Sequence, residues 1–103
     1  MLIQEHGYLV KQIDAPESTQ NGRHKFQRIV LNKPGYTDEF GDKKCMDDIF
    51  ECRVWNKKIN EIPALQKGDK VKAVLSIKGL EYTDKQGKTI YYTQTTIRKI
   101  EKI

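Results

Sequence analysis

The chain has 103 residues, of which 19 are basic and 14 are acidic, and its formal charge at pH 7 is +5. This length favours a single domain, residues 1–103, with one modest core. The first residues have neither the basic nor the apolar stretch of a signal peptide, and no apolar run approaches the ~20 residues of a membrane-spanning helix. We therefore expect a cytoplasmic protein that has no membrane segment.

Two strands are predicted before residue 34. The first covers residues 4–14, and a loop over residues 15–22 follows it and closes on an Asn-Gly turn. The second covers residues 24–33. Its alternating residues divide into Ile29 and Leu31 on one face, and Phe26, Arg28 and Val30 on the other.

A polar loop over residues 34–48 follows, and its charge is mostly negative. Its charged residues are Asp38, Glu39, Asp42, Asp47 and Asp48, with Lys43 and Lys44 as the two cations. An acidic loop repels phosphate. The alternative to base stacking for its aromatic residues, Tyr36 and Phe40, is therefore contact with another protein.

Residues 49–56 predict a third strand, because apolar and polar residues alternate strictly. Phe50, Cys52 and Val54 form the predicted core face. The open face then carries Trp55, the only tryptophan of the chain, with Arg53 beside it. Residues 57–66 are the one helical candidate, which a proline limits to a turn or two.

Residues 70–100 predict a long hairpin. On its first strand Val71, Ala73, Leu75 and Ile77 alternate with a basic face, and residues 83–88 form the turn before a second strand over residues 89–100. The lysines of the basic face and the turn are Lys70, Lys72, Lys78, Lys85 and Lys88. Tyr82 shares this basic face, and adjacent Tyr91 and Tyr92 are expected to divide into one core and one exposed residue.

Charge placement supports a polyanionic partner. Residues 56–103 contain 11 basic and 5 acidic side chains, whereas residues 1–55 contain 8 and 9. Lysines neutralise phosphates and aromatic rings stack on bases, so the hairpin surface is suited to single-stranded nucleic acid. A solvated lysine face is the alternative interpretation.

Five strands with a short helix between the third and fourth predict an all-β fold, the five-stranded Greek-key OB-fold barrel. The alternative, an SH3-like barrel, usually lacks a helix at that point. Neither cysteine belongs to a CxxC pair, and no nucleophile motif or metal-ligand spacing is present. We therefore expect no catalytic residues, no metal and no cofactor.

The chain resembles the OB-fold domain of bacterial and phage single-stranded DNA-binding proteins over nearly its whole length. The matching segments are GYLV (7–10), PE (16–17), NG (21–22), FECRVWNK (50–57), LQKGDKV (65–71), and YTDKQGK (82–88) followed by Tyr91. The resemblance implies base stacking on Trp55, Tyr82 and Tyr36, and phosphate contacts from Lys72 and Lys78. Arg53, Lys70 and Lys88 complete the predicted binding set.

Three departures from the family pattern bear on these expectations. Ile49 stands where the family often has a tryptophan, the loop after the second strand is acidic, and the family's acidic C-terminal tail has no counterpart after Ile103. The resemblance implies a homodimer or tetramer that binds single-stranded DNA, or RNA, and serves replication, recombination or repair beside a replication protein. The alternative function is an OB-fold protein-interaction module, and an enzyme is the least favoured class.

Overall fold

The computed structural model describes residues 2–42 and 45–103, and of residues 4–6 it describes the backbone alone. Lys43 and Lys44 of the acidic loop lie outside the described residues. The strands are β1 (Leu2–Ile13), β2 (Glu17–Ser18), β3 (Lys25–Lys33), β4 (Asp48–Trp55), β5 (Lys70–Thr83) and β6 (Thr89–Lys102). A 3₁₀ helix, Asn56–Asn60, connects β4 to β5. No helix in the described part of the chain is long and apolar enough to cross a membrane.

The five long strands form a closed ring, which confirms an all-β, OB-like fold. β1 pairs with both β3 and β5, β3 pairs with β4, and β5 pairs with β6, all antiparallel. A short parallel pairing of Cys52 and Arg53 with Thr95 and Thr96 joins β4 to β6 and completes the ring. The long β5–β6 hairpin is therefore confirmed as well.

One element differs from its prediction. The segment predicted as a loop over residues 15–22 contains β2, which pairs Glu17 with Phe26 and Ser18 with Lys25. The helical candidate over residues 57–66 forms the five-residue 3₁₀ helix, which is within the turn or two that was predicted. Pro63 lacks the backbone N–H that would continue a helix, so the chain leaves the helix and Leu65 packs into the core instead.

The core lies inside the ring, where the apolar residues of each strand meet. Its members are Tyr8, Val10, Ile29, Leu31, Cys52, Val54, Leu65, Val71, Ala73, Leu75, Ile97 and Ile100. The core faces predicted for the strands now numbered β4 and β5 are correct except at Ile77, which lies outside the core and lines the depression beside Trp55. Phe50 is only half-buried and meets the Tyr8 ring edge-on at 5.9 Å. Truncating one of the large side chains to alanine should cost about 2–5 kcal/mol of unfolding free energy.

The end of the β5–β6 hairpin projects from the ring as a two-stranded ribbon. β1 reaches β5 only as far as Ser76, and β4 reaches β6 only at Thr95 and Thr96, so residues 77–94 have no third strand beside them in the described structure. The radius of gyration is 16.0 Å, against about 13 Å for a compact domain of this length.

The prediction that one of Tyr91 and Tyr92 is core is therefore wrong. They do face opposite sides of the ribbon, but 75% of Tyr91 and 50% of Tyr92 are exposed. Alternation buries one face of a strand only where another layer covers that face, and no described residue covers this part of the hairpin.

Candidate nucleic-acid interface

Trp55 lies on the outer face of β4 because its parity is opposite to that of Cys52 and Val54, which are buried. The antiparallel register places Phe26 of β3 directly across from it, with ring centroids 5.4 Å apart and planes inclined at 45°. The Arg53 guanidinium carbon lies 4.7 Å from the Phe26 centroid and 5.8 Å from the Trp55 centroid, which is the range of a cation–π contact. These contacts leave Trp55 half-buried.

Asn56 fixes the direction of the chain immediately after Trp55. Its φ is +51°, and it is the one non-glycine residue with positive φ in the described chain. The Lys25 backbone N–H donates to Asn56 Oδ1 at 3.0 Å, and Asn56 Nδ2 lies 3.4 Å from His24 Nδ1. The left-handed conformation and the hydrogen bond to β3 together fix the end of β4 beside β3, and so fix the position of the Trp55 indole.

An outer groove runs beside Trp55 between β4 and the β5–β6 hairpin. It consists of two adjoining depressions that share Trp55 and Gln94. Arg53 lines the first and Lys78 the second; Lys78 is exposed and lies opposite Gln94 in the hairpin register. Neither cation forms an ion pair with a carboxylate in the described structure, so both are available to an anionic ligand. The groove thus combines one aromatic ring with cations on two sides.

The hairpin extends this groove with further aromatic residues. Tyr82 shares the outer face of β5 with Lys78, is 56% exposed, and lies opposite Ile90. Tyr92 lines both the outer groove and the adjoining depression on the ribbon. Trp55, Arg53, Lys78 and Tyr82 therefore occupy one continuous surface.

The other predicted basic residues lie elsewhere. Lys72 is directly opposite Glu101 in the register, near the start of β5. Lys70, the first residue of β5, is exposed beside Asp69, whose carboxylate accepts the Gln66 N–H at 2.8 Å. This bond, followed by the Lys102 contact, lowers the pKa of Asp69.

Lys88 lies in the turn at the far end of the ribbon. Its backbone N–H donates to Asp84 Oδ1 at 2.8 Å. Its side chain is exposed. Lys88 therefore belongs to the hairpin tip and not to the groove beside Trp55.

Tyr36 lies apart from Trp55. The loop that contains it leaves the end of β3 at Lys33, whereas Trp55 pairs with Phe26 at the other end of the same strand. Seven residues separate these ends, or roughly 23 Å. Tyr36 is exposed and its carbonyl accepts the Cys45 N–H at 3.2 Å, so it forms part of a separate surface.

Two residues beside Trp55, Phe26 and Arg98, were not predicted as binding residues. Phe26 was assigned to the correct face of its strand, but its contact with Trp55 depends on the β3–β4 register. Arg98 lines the outer groove beside Trp55 and Lys58. It occupies a bulge, since Val74 pairs with Lys99 and Leu75 with Ile97, and a bulge removes a residue from the alternation that sequence reading relies on.

Cys52 is a buried thiol on the core face of β4. Burial, and secondarily the charge of Glu51, raises the pKa of the Cys52 thiol to about 12, so this thiol stays protonated near neutral pH. In the described part of the chain, no three histidine, cysteine, aspartate or glutamate side chains come together at a position that could hold a metal ion.

Comparison with known proteins places this fold. The model of a family described as a domain of unknown function, DUF3127, matches residues 6–101. No curated protein matches the chain. Among solved structures, the wild-type single-stranded DNA-binding protein of Thermus aquaticus superposes with a TM-score of 0.64 at 18% identity. That match covers 94% of this chain and 47% of the other, so the chain spans about half of that protein's length.

Two further solved structures cover the chain almost completely. The SSB of Plasmodium falciparum, solved in complex with ssDNA, gives a TM-score of 0.62 at 17% identity and covers 99% of this chain and 91% of its own. The mitochondrial single-stranded DNA-binding protein of S. cerevisiae gives 0.52 at 13% identity, with coverages of 100% and 94%. These likenesses confirm the predicted resemblance at the level of the OB-like fold.

Proposed function

The chain belongs to the DUF3127 family, and we propose that it is a non-enzymatic protein that binds single-stranded DNA with little sequence preference. The fold shared with single-stranded DNA-binding proteins supports this proposal. The observation that carries it is the half-exposed Trp55 ring, which lies in a groove between Arg53 and Lys78, two cations that form no ion pair in the described structure.

In this proposal the groove binds through two interactions. A base stacks on Trp55 and others stack on Tyr82 and Tyr92, while Arg53 and Lys78 neutralise the phosphates between them. Stacking discriminates poorly between bases because every base has a π-face. The expected result is binding that depends on an unpaired strand and on salt, but little on sequence.

The wider setting is part of the same proposal. We place the protein in the cytoplasm, in DNA replication, recombination or repair, as a homodimer or tetramer that works beside a replication protein. Single-stranded RNA is the alternative to single-stranded DNA as the ligand. Since Tyr36 lies far from Trp55, the proposed site centres on β4 and the hairpin and no longer includes the acidic loop.

The test is a titration of the protein with oligo(dT), followed by tryptophan fluorescence. Trp55 is the only tryptophan, so the signal reports on the groove alone. We expect saturable quenching by oligo(dT) and much weaker quenching by a duplex of equal length. Unchanged fluorescence together with no measurable binding would contradict the proposal.

A second function, as a protein-interaction module, is supported by a different surface. The Asp38 carboxylate accepts the N–H groups of Phe40 and Asp42, both at 2.9 Å, and this turn holds the Phe40 ring 81% exposed. An exposed ring among acids suits a basic protein partner better than a phosphate backbone. The fluorescence titration separates the two functions. If the protein binds only a protein partner through this turn, oligo(dT) should not quench Trp55.

A further inference from the structure

The outer groove continues beyond Trp55 along β6. Arg98 and Lys58 line the depression next to Trp55, and the same two residues line a second depression along β6. Lys99 and Glu101 of that second depression also line a third, which reaches Lys72 on β5. The three depressions therefore form a continuous path from the aromatic groove to the start of β5.

This continuation, which we call the cationic segment, differs in composition from the groove. It comprises four cations and two carboxylates: Lys58, Arg98, Lys99, Lys72, Glu61 and Glu101. None of its lining residues is aromatic. It offers a net positive charge but no stacking platform, which suits the sugar–phosphate backbone of a strand and not its bases.

The four cations are not equally available. Lys58 lies 3.6 Å from Glu61 and Lys99 lies 3.1 Å from Glu101, so a phosphate would compete with a carboxylate for each of them. Arg98 has no ion-pair partner in the described structure. It is exposed, and its place in the bulge of β6 turns it out of the regular alternation.

We propose that the binding site has two parts, and that a strand stacked on Trp55 continues along the cationic segment, where Arg98 binds its phosphate backbone. This inference rests on the proposed function and adds the path of the strand to it. From Gln94 beside Trp55 to Glu101 is seven residues along β6, or roughly 23 Å, so only a longer strand reaches both parts.

The experiment compares oligo(dT) of about 5 and about 15 nucleotides, near the two ends of the range that OB folds cover. Each bound phosphate contributes roughly −0.7 to the slope of log K against log[salt] for a single strand. We expect the wild type to show a steeper slope with the longer strand. Lys72 lines only the far end of the cationic segment, so Lys72→Ala should lower the slope magnitude by about 0.7 for the longer strand and leave the shorter one unchanged. Arg98 also lines the depression beside Trp55, so Arg98→Ala should lower the slope magnitude for both strands.

Three further variants make the test specific. Arg98→Lys keeps the charge and should retain the wild-type slope with both strands. Glu101→Gln removes a competing carboxylate and should strengthen binding of the longer strand only. Lys11→Ala removes an exposed charge that lines none of these depressions and should change neither strand.

The outcomes distinguish this inference from the proposed function. If oligo(dT) quenches Trp55 but Lys72→Ala affects both lengths equally, or neither, the cationic segment is not part of the path and the inference is wrong. If neither length binds the wild type, the proposed function fails and the inference fails with it.

Discussion

At the scale of single residues, the position of Trp55 depends on its neighbour Asn56. A left-handed conformation costs an ordinary L-residue about 1–2 kcal/mol, a cost that glycine avoids and that asparagine tolerates better than most residues. Asn56 also accepts the Lys25 N–H, which joins the end of β4 to the start of β3. One residue thus contributes both a backbone turn and a hydrogen bond at the edge of the proposed site.

We predict that Asn56→Ala lowers the unfolding free energy by about 2 kcal/mol, through lost hydrogen bonding and backbone strain. Asn56→Gly loses the hydrogen bond but accepts the positive φ, so its loss should be about half as large. Urea denaturation of the two variants measures the difference. Equal losses would show that the backbone conformation has no energetic role.

At the scale of elements, the β5–β6 hairpin separates binding from stability. In the described structure none of the residues of its outer ribbon belongs to the buried core. Tyr82 and Tyr91 are both exposed there, yet the register places them on opposite faces. Comparing variants of these two tyrosines therefore tests which face of the ribbon the strand contacts.

We predict that Tyr82→Ala weakens oligo(dT) binding by about 1–3 kcal/mol and changes the unfolding free energy by no more than about 0.5 kcal/mol. Tyr91→Ala should leave the unfolding free energy unchanged and should weaken oligo(dT) binding less than Tyr82→Ala does. Fluorescence titration and thermal melting of the two variants provide the comparison. A larger loss of affinity for Tyr91→Ala would mean that the strand follows the other face of the ribbon.

The sequence predicts which face of a strand each residue occupies, but not which residues of other strands lie beside it. The alternation of Phe50, Cys52 and Val54 was sufficient to place Trp55 outside, because periodicity is a local property of one strand. The contact between Trp55 and Phe26 was not predicted, since it depends on long-range register. The exposure of both Tyr91 and Tyr92 was missed for a related reason, because no local pattern shows where the neighbouring strands end.

At the scale of the whole molecule, the ring is not fully paired. β1 pairs with β5 from Leu2 onward, but its pairing with β3 begins only at Leu9. In the described structure the first half of β1 therefore has an open edge, and open edges favour association with another strand.

We predict a homodimer or larger assembly in solution. Light scattering across micromolar concentrations should give the mass of two or more chains, because pairing at the β1 edge would satisfy its free backbone groups. The mass of a single chain throughout this range would contradict the prediction.

The oligo(dT) affinity of Trp55→Ala shows whether single-stranded DNA binds in the groove beside Trp55. The variant should remain folded, since the core is on the other side of β4, and its affinity should fall about 5- to 150-fold, equivalent to about 1–3 kcal/mol. Val54→Ala is the control, because Val54 is buried and lines neither depression of the groove, so its truncation should lower the melting temperature instead. A folded Trp55→Ala protein that binds oligo(dT) as tightly as the wild type would contradict the account.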